Sequence, residues 1–527
     1  MPRRLTGLPA SAGLRSGADD AYPARYGRSS GSILGVVVSL VLSSCAVGPN
    51  FKSPDAPVDA SDNSYTPTAL PAQTAAAEGT AGVAQHFAFG QDIPAQWWTL
   101  FRSEALDQMI RGALQQSPDM ASAQAALRQA QENLNAESGN LLYPNVSGKL
   151  SAERQRASAV STGIPGGSVF NLFNASVNVS YTLDVFGASR RTLEGLQAAV
   201  DYQRFQVEAT YLSLTANLVT TAIKEASLRA QLQATQEVLA AQQKQLAVIE
   251  EQFALGAIPR STVLTQRTQV AQTLASLPDL EKSLAQTRHQ LSVYAGKLPS
   301  ESGMPEFQLD SLQLPQDLPV TLPSALVRQR PDIRASEESL HQASAKIGVA
   351  TANQYPQITL SGDYGSSATR IGDLFSHGTT FWSIAAALAQ PIFNGGELSA
   401  KRRAAVAAYD QAEAQYRGTV LTAFQNVADS LRALDFDAST LKAQVEVEAV
   451  AGEALSLNKR QYALGAISYL ALLDAERTYQ KSRIGLVQAQ AARYADTAAL
   501  FQALGGGWWN RPPLADAAPT ATAEPNN

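Results

Sequence analysis

One eight-residue stretch occurs twice in the chain, as QFALGAIP at residues 252–259 and as QYALGAIS at residues 461–468. Phe253 aligns with Tyr462, and 462 − 253 gives an offset of 209 residues, which is far too long for a solenoid repeat. In both places a long Ala-, Gln- and Leu-rich stretch runs into the central glycine. Because a glycine just past the last periodic residue ends a helix, the two copies predict the tips of two long antiparallel helical hairpins.

The helices that meet at these tips are predicted to be long. Residues 189–255 contain no proline and a single glycine, and at about 1.5 Å per residue they would make a rod of about 100 Å. Apolar residues fall seven apart along it as a heptad stripe: Leu232, Leu239, Leu246 and Phe253. The return helix is expected over 259–294, broken or bent near Pro278. The second half repeats the pattern over 398–464 and 468–504.

Two stretches with the alternation of β-strands precede each long helix. In the clearest, residues 173–185, apolar and polar side chains alternate over thirteen positions, while its partner at 146–150 is less regular. In the second half the apolar faces lie at 358–364 and 382–392. Because soluble strands usually have about five or six residues, the length of the clearest stretch favours a tilted membrane-spanning strand.

Four strands are too few to close a membrane barrel. Such barrels begin at about eight strands, and an open sheet edge in lipid leaves backbone groups without hydrogen bonds. Three copies of the chain would supply about twelve strands, a number within the range of known barrels. We therefore expect a mainly α-helical protein with a small transmembrane β part, assembled as a trimer around a 12-stranded barrel. From the alternation alone, a soluble hairpin on each half remains the alternative.

The N-terminus has the pattern of an export signal followed by an anchor. Arginines precede an apolar run over 33–42, which is followed by Ser43, Ser44 and Cys45, the only cysteine in the chain. A basic region, a short apolar region and small residues are typical of a secretory signal peptide. The position of Cys45 resembles a bacterial lipobox, in which the cysteine becomes the first mature residue and carries lipid. With Ala46 next, the resemblance implies the outer membrane. An incidental buried cysteine is the alternative.

The chain divides into two similar halves behind this anchor. The segment that follows Cys45 is rich in Pro, Ala, Ser and Thr without periodicity, so we expect extended chain, either a free tether or a strap across a neighbouring part of the protein. The predicted boundaries are 1–44 for the signal peptide, 45–92 for the lipidated extended segment, 93–297 for the first repeat, 298–322 for a proline-rich linker, 323–508 for the second repeat and 509–527 for a disordered tail.

Composition excludes several classes of function. The chain has 527 residues with 41 basic and 46 acidic side chains, a balance that predicts no nucleic-acid partner. Its four histidines lack metal-ligand spacing, and there is no GxSxG, HExxH or Cys/His pairing. We expect neither an enzyme nor a cofactor, apart from the covalent lipid on Cys45. The mature protein contains no run of about 18 apolar residues, so no transmembrane helix is predicted in it.

The chain resembles a known family, the TolC-like outer-membrane efflux factors. Within this family it resembles the NodT-type lipoproteins of resistance–nodulation–division efflux systems. The order and spacing of several short motifs carry the resemblance, which covers about residues 45–508. The motifs are Cys45 to Phe51, Trp97-Trp98 with Leu100-Phe101, Ser117 to Asp119, Arg330 to Asp332, Gln390 to Gly396, Tyr462 to Gly465, Leu472 to Arg477 and Ala503 to Trp508.

The resemblance implies a homotrimer whose outer-membrane barrel continues into a periplasmic α-helical barrel. It implies a mouth that is closed at rest and opens when a periplasmic adaptor protein, partnered with an inner-membrane transporter, docks on the hairpin tips. Carried onto this sequence, the adaptor-contacting tips are Leu255, Gly256, Ala257, Leu464, Gly465 and Ala466. The residues that match the periplasmic gate are Tyr462, Leu470, Asp474 and Arg477.

A physical argument accompanies the gate. In a three-fold ring Asp474 would be repeated three times near the axis, where it would attract cations and pair with Arg477 on its own or a neighbouring helix. The two residues are three apart and so lie on one side of a helix. An ordinary exposed ion pair, contributing about 0–1 kcal/mol, is the alternative. Thr265 occupies the matching position in the first half, which leaves a second acidic ring in doubt.

The sequence therefore predicts a passive exit duct of a tripartite efflux pump, lipid-anchored in the outer membrane and extending into the periplasm. A periplasmic coiled-coil scaffold lipoprotein without a pore is the main alternative, and a cell-wall hydrolase is a weaker one because no catalytic motif is present. The sequence does not identify the cargo.

Overall fold

The structure is a computed structural model. The residues that it describes are 46–55, 65–158, 160, 165 and 167–511. The predicted signal peptide, Cys45 and residues 512–527 of the predicted tail lie outside the described residues.

The named elements of the described residues are eight α-helices and six β-strands. The helices are α1 (Glu104–Gln116), α2 (Pro118–Leu142), α3 (Ala188–Ala254), α4 (Arg260–Tyr294), α5 (Pro323–Gln329), α6 (Pro331–Ala352), α7 (Glu397–Ala463) and α8 (Tyr469–Ala503). The strands are β1 (His86–Phe89), β2 (Asn145–Ala157), β3 (Ser168–Leu183), β4 (Asp317–Val320), β5 (Gln357–Ala368) and β6 (Thr380–Ala389).

Two helical hairpins dominate the fold, α3 with α4 and α7 with α8. The long helices have 67 residues each and the return helices 35 each. The starts of α3 and α7 differ by 397 − 188 = 209 residues, and the starts of α4 and α8 by 469 − 260 = 209. Of the break or bend predicted near Pro278, the break is wrong, because α4 continues through this proline, and the bend stays a prediction. The buried side chains of Thr273 and Leu277 keep the helix packed there.

The buried seam of the first hairpin differs from the predicted leucine stripe. Of that stripe only Leu239 is buried, while Phe253 is exposed. The neighbouring heptad positions, three residues further on, carry the buried side chains Thr235, Gln242 and Ile249. The two stripes together have the spacing of coiled-coil core positions, so the seam is real but partly polar.

Aromatic side chains form the core midway along the long helices. A short 3₁₀ helix, Trp97–Phe101, is separated from α1 by Arg102, whose backbone is left-handed (φ 52°). This turn buries Trp97 and Phe101, and Trp97 stacks on Phe501 of α8 at 5.4 Å between ring centroids. The core thus packs the first half of the chain against α8.

The segment predicted as a linker, 298–322, is instead packed into this core. Phe307 is buried, and its backbone N–H donates to Glu225 of α3 at 3.0 Å. Glu225 is itself fully buried and pairs with Arg229 and Arg288 at 2.5 and 3.0 Å. Burial of an unpaired carboxylate costs free energy. The two arginines therefore stabilise Glu225, the residue to which the segment is hydrogen-bonded.

The extended N-terminal segment is a strap rather than a free tether in its described parts. Its strand β1 pairs in parallel with β4, from the segment predicted as a linker. The guanidinium of the fully buried Arg493 in α8 donates to Gln85 Oε1 at 2.8 Å and to the Val83 carbonyl at 3.1 Å. Hydrogen bonds from the buried guanidinium of Arg493 thus fix the strap to α8.

The first described residues lie against the junction of sheet and helices. The N–H of Val47 donates to the carbonyl of Phe186, and Asn50 Oδ1 accepts from Arg191 of α3 at 2.6 Å. Phe51 stacks on His341 of α6 at 4.3 Å between ring centroids.

Four strands form one antiparallel sheet in the order β2-β3-β5-β6. The outer edges of β2 and β6 have no partner strand among the described residues. β2 is a full strand of 13 residues, longer than its predicted core of 146–150. The last strand is shorter than predicted and ends at Ala389, because Pro391 cannot donate to a ladder. Ile392 therefore lies beyond the strand, 96% exposed.

The predicted tail begins too early. Trp509 Nε1 donates to Asp92 at 2.8 Å, Asn510 Nδ2 to the carbonyl of Ile93 at 2.7 Å, and Arg511 pairs with Glu208 at 2.6 Å. Residues 509–511 therefore belong to the packed structure.

We predict that Asp496 of α8 makes stability depend on pH. Burial, with the neighbouring Asp437, raises the pKa of Asp496 to about 7. The folded state then holds a proton that the unfolded chain releases, so the free energy of unfolding falls as pH rises from about 4 to 7 and stays low above that. Asp496→Asn removes this loss and is expected to raise the unfolding temperature at pH 8 but not at pH 4, measured by circular dichroism in detergent.

The matched control is Asp410→Asn, which changes an exposed carboxylate on α7. A gain of Asp496→Asn over wild type that was the same at both pH values would contradict the prediction.

Candidate functional site

The first hairpin tip is closed by a tight helix-ending turn. The N–H of Gly256 donates to the carbonyl of Phe253, and that of Ala257 to Gln252, both at 2.9 Å. This pair of bonds, 5→2 and 6→1, is a Schellman motif and requires a left-handed residue at the glycine. Gly256 has φ 75°, which only glycine adopts without strain.

The second tip has the same geometry and is capped more fully. Gly465 has φ 72°, and Ala466 donates to the carbonyl of Gln461 at 2.8 Å. Ser468 then caps α8, its side chain accepting from the N–H of Ala471 at 3.3 Å. A leucine precedes each glycine, Leu255 and Leu464, and their side chains are 78% and 84% exposed. Each tip therefore presents a rigid turn with an uncovered apolar side chain, a surface suited to a partner.

The four predicted gate residues lie near the second tip. The ring of Tyr462, at the end of α7, lies 5.7 Å from that of Tyr469 at the start of α8. Leu470 is 68% exposed, and Asp474 is exposed one turn further along α8. The structure therefore brings the four residues to one end of one hairpin.

Two side chains of α8 connect the second hairpin to the first. Arg477 Nε donates to Gln269 Oε1 at 2.7 Å, and the Tyr469 hydroxyl donates to Gln266 Oε1. Both glutamines belong to α4 and are buried, and Gln266 Nε2 donates to the carbonyl of Gln242 at 2.9 Å. We call Tyr469, Arg477, Gln266 and Gln269 the inter-hairpin latch.

The latch replaces a predicted ion pair. Within this chain no ion pair joins Asp474 to Arg477 among the described residues, because the Arg477 side chain extends to Gln269 on the other hairpin. Positions three apart differ by about 60° around a helix, enough for Asp474 to face away from the first hairpin. A pair with a neighbouring subunit remains a prediction.

Burial shifts the pKa of groups in and near the latch. Burial raises the pKa of Tyr469, and the nearby Glu476 adds to the rise, so the phenol remains a hydrogen-bond donor even where an ordinary tyrosine would lose its proton. Burial also raises the pKa of Glu476, against the opposing effect of Lys459.

The matching part of the first hairpin is built differently. Thr265, 474 − 265 = 209 residues before Asp474, bonds its own helix through the Ser261 carbonyl at 2.9 Å. Next to it Arg267 of α4 pairs with Glu250 of α3 at 2.7 Å. The acidic residue of the second hairpin therefore has no acidic counterpart at this position of the first.

Sequence reasoning missed three members of the latch: Tyr469, Gln266 and Gln269. No local signal in the sequence marks the glutamines, because Gln242, Gln266 and Gln269 become buried seam residues only in the folded hairpins. Buried amides require hydrogen-bond partners, and Gln266 and Gln269 accept theirs from the second hairpin, whereas the side-chain amide of Gln242 has none among the described residues.

Other candidate sites are not seen in the part of the chain that the structure describes. No group of three or more His, Cys, Asp or Glu side chains there could hold a metal ion. None of the described helices has the length and apolar character needed to cross a membrane. Cys45, the predicted lipid site, lies outside the described residues.

The chain matches a family described as outer membrane efflux protein over residues 109–297 and 322–506, well over half of its length. It is 33% identical over 424 residues to the pyoverdine export outer membrane protein OpmQ of Pseudomonas aeruginosa, covering 78% of this chain and 87% of that protein. It is 29% identical over 475 residues to nodulation protein T of Rhizobium leguminosarum bv. viciae, covering 90% and 92%.

The chain is also similar to solved structures of outer-membrane channels. The outer-membrane channel OprN matches with a TM-score of 0.78 and 27% identity, covering 88% of this chain and 100% of that one. The open state of the MtrE outer membrane channel of Neisseria gonorrhoeae matches with a TM-score of 0.73 and 26% identity, covering 88% and 99%.

We predict that Gly465→Ala loosens the second tip. A side chain at φ 72° costs about 1–2 kcal/mol, so the turn is expected to open about tenfold more often. Hydrogen–deuterium exchange at Ala466 measures this opening.

Gly418→Ala is the matched control. It lies inside α7 with open space around the new methyl group and is expected to leave exchange at the tip unchanged. Unchanged exchange in Gly465→Ala as well would show that the turn bears no such strain.

Proposed function

This chain belongs to the outer membrane efflux protein family, and from that premise we propose that three copies of it form one continuous exit duct. Members of this family are outer-membrane efflux channels of tripartite pumps, and this chain is such a channel, located in the outer membrane and extending into the periplasm. The family predicted from the sequence motifs is confirmed.

The observation that carries the trimer is the four-stranded sheet with two open edges. β2 and β6 each leave one row of backbone groups without a strand partner among the described residues. In lipid each unpaired group costs several kcal/mol, so the edge of β6 pairs with β2 of the next copy. Three copies then close a barrel of about twelve strands, above the observed minimum of about eight.

The helices continue this barrel as the wall of a periplasmic tunnel. The constant offset of 209 residues makes the two hairpins two repeats of one unit, each preceded by its own strand pair. Three chains contribute two long helices and two return helices each. At about 1.5 Å per residue, the 67 residues of α3 span about 100 Å, enough to cross much of the periplasm.

The inter-hairpin latch and the four predicted gate residues close the mouth of this tunnel. Arg477 and Tyr469 hold the second hairpin against the first, which places Asp474 and Leu470 toward the axis of the trimer. Three copies of Asp474 form a cation-attracting ring. Opening requires the second hairpin to move, which breaks the bonds to Gln266 and Gln269.

The hairpin tips are the docking points for a periplasmic adaptor protein. Their support is geometric, because Leu255 and Leu464 expose apolar side chains on turns fixed by Gly256 and Gly465. The adaptor connects the duct to an inner-membrane transporter of the resistance–nodulation–division type, and that transporter selects the cargo. The duct itself conducts passively, without a catalytic site or a cofactor.

A coiled-coil scaffold without a pore is the second candidate. It would account for the long hairpins but leaves the sheet without a role, since apolar side chains such as Trp382 and Ile384 would then face water, 71% and 83% exposed. Exposed apolar surfaces of this kind mark contact with lipid or protein. We therefore favour the duct.

The duct and its gate are tested together in planar lipid bilayers. The purified processed chain is expected to run as a heat-modifiable trimer and to give a low resting conductance. The double variant Tyr469→Phe/Arg477→Met removes both latch donors, one of them charged, and is expected to raise that conductance about tenfold or more.

Lys282→Met is the matched control, because it breaks an exposed pair with Asp279 inside α4 at 2.8 Å and leaves the hairpins joined. A double variant that conducts no more than this control would remove the latch from the gate. A wild-type chain that is monomeric and gives no conductance would overturn the duct.

A lipid on Cys45 completes the proposal. The support is the nearby backbone: Val47, two residues on, is bonded to Phe186 just beyond the end of β3, where the chain leaves the sheet. Several acyl chains on one cysteine together give stable anchoring in a membrane.

We predict that Cys45→Ser abolishes incorporation of radiolabelled palmitate, because no other cysteine exists in the chain. Ser53→Ala, a change in the same segment, is expected to keep the label. Labelling that persists in Cys45→Ser would refute the anchor.

A further inference from the structure

The outward face of β2 changes character along its length. Strand residues alternate between two faces, and the face that carries Leu150 is uncharged as far as Ala152. The next two positions on the same face are Arg154 and Arg156. Both arginine side chains are exposed. The opposite face has a different pattern, with Lys149 and Glu153 among serines and glutamine.

The strand register gives the height of the uncharged band. Across the sheet, its first row on this face contains Leu183, Ile358 and Leu388, and its last row contains Ala152, Phe173 and Ala368. From Ile358 to Ala368 the chain rises about 33 Å along the strand. With a strand tilt of about 40°, this is a vertical height of about 25 Å, the apolar thickness that an outer-membrane barrel requires.

Arg154 lies in the first row beyond this band. It is opposite Asn171 of β3 and has no ion-pair or hydrogen-bond partner among the described residues. Arg370, also exposed, follows two residues after the end of β5 at the same end of the sheet. The nearby loop carries one acidic residue, Asp373, in the turn at Ile371–Asp373.

This end of the sheet is the outer one. The helices leave the sheet at its other end, where β3 leads into α3 and β6 into α7, and the helices extend into the periplasm. The arginines are therefore level with the head groups of the outer leaflet. In bacterial outer membranes these head groups belong to phosphorylated glycolipids.

We propose that Arg154 and Arg156, with Arg370 at the same end of the sheet, form a binding site for the phosphate groups of the outer-leaflet glycolipid. A guanidinium donates two parallel hydrogen bonds to a phosphate, which makes arginine well suited to this contact. Since β2 is an edge strand, the trimer would present three such sites, each at the junction between two subunits. The inference rests on the proposed barrel, which sets the outward face.

The test measures lipid binding to the purified full chain in neutral detergent by native mass spectrometry. The probes are lipid A with both phosphates, the same lipid with its phosphates removed, and inorganic phosphate alone. Wild type is expected to bind the phosphorylated lipid about tenfold or more tightly than the dephosphorylated one. Arg154→Gln/Arg156→Gln is expected to lose this preference.

Lys149→Gln is the matched control, since it removes the same charge from the same strand on the opposite face, and it is expected to retain the preference. Arg154→Gln alone serves if the double variant does not fold. Loss of the preference in Lys149→Gln, or its retention in the arginine variants, would overturn the site. Equal binding of the two lipids would show that the arginine side chains extend past the lipid into water and do not bind its phosphates.

Binding of inorganic phosphate as tight as that of lipid A would also overturn the site as a lipid site. The same samples are run on a gel with and without heating. A heat-modifiable trimer with no lipid preference refutes the lipid site alone, whereas a chain that forms no trimer refutes the proposed barrel.

Discussion

An unpaired strand edge in lipid is the constraint on which the rest of this molecule depends. In a soluble protein, water forms hydrogen bonds with the backbone groups of an edge strand. The hydrocarbon interior of a membrane contains no hydrogen-bond partners for them. In the proposed trimer, a chain with four strands in one sheet and two open edges obtains its remaining wall from the other two chains. The equal lengths of the two hairpins would then bring six tips to one level, as a single docking plane.

Neutral polar groups accept the hydrogen bonds at the proposed gate. The latch acceptors Gln266 and Gln269 are buried amides, so a bond to them is weaker than a bond to a buried carboxylate. Elsewhere the same protein uses fully charged anchors, such as Glu225 with its two arginines. The contrast fits a molecule whose middle stays fixed while one end opens.

Much of the fold could be predicted because its signals are local. Glycine and proline punctuation placed the ends of the long helices within a residue, and period-two alternation located the strands. The pairing of β1 with β4 could not be predicted, since each strand has four residues and they lie far apart in the chain. The latch was missed for a related reason: Gln266 has a partner only once two hairpins lie side by side, and a polar residue in an apolar seam has no signature of its own.

The strap has a consequence for how this protein reaches its final form. Gln85 emerges early from an export channel, yet its partner Arg493 lies 408 residues later and is among the last to arrive. The N-terminal portion consequently waits for the C-terminal helix before its buried polar groups are satisfied. Export from the N-terminus to the C-terminus would therefore leave the core incomplete, with these polar groups unpaired, until the final segment has crossed.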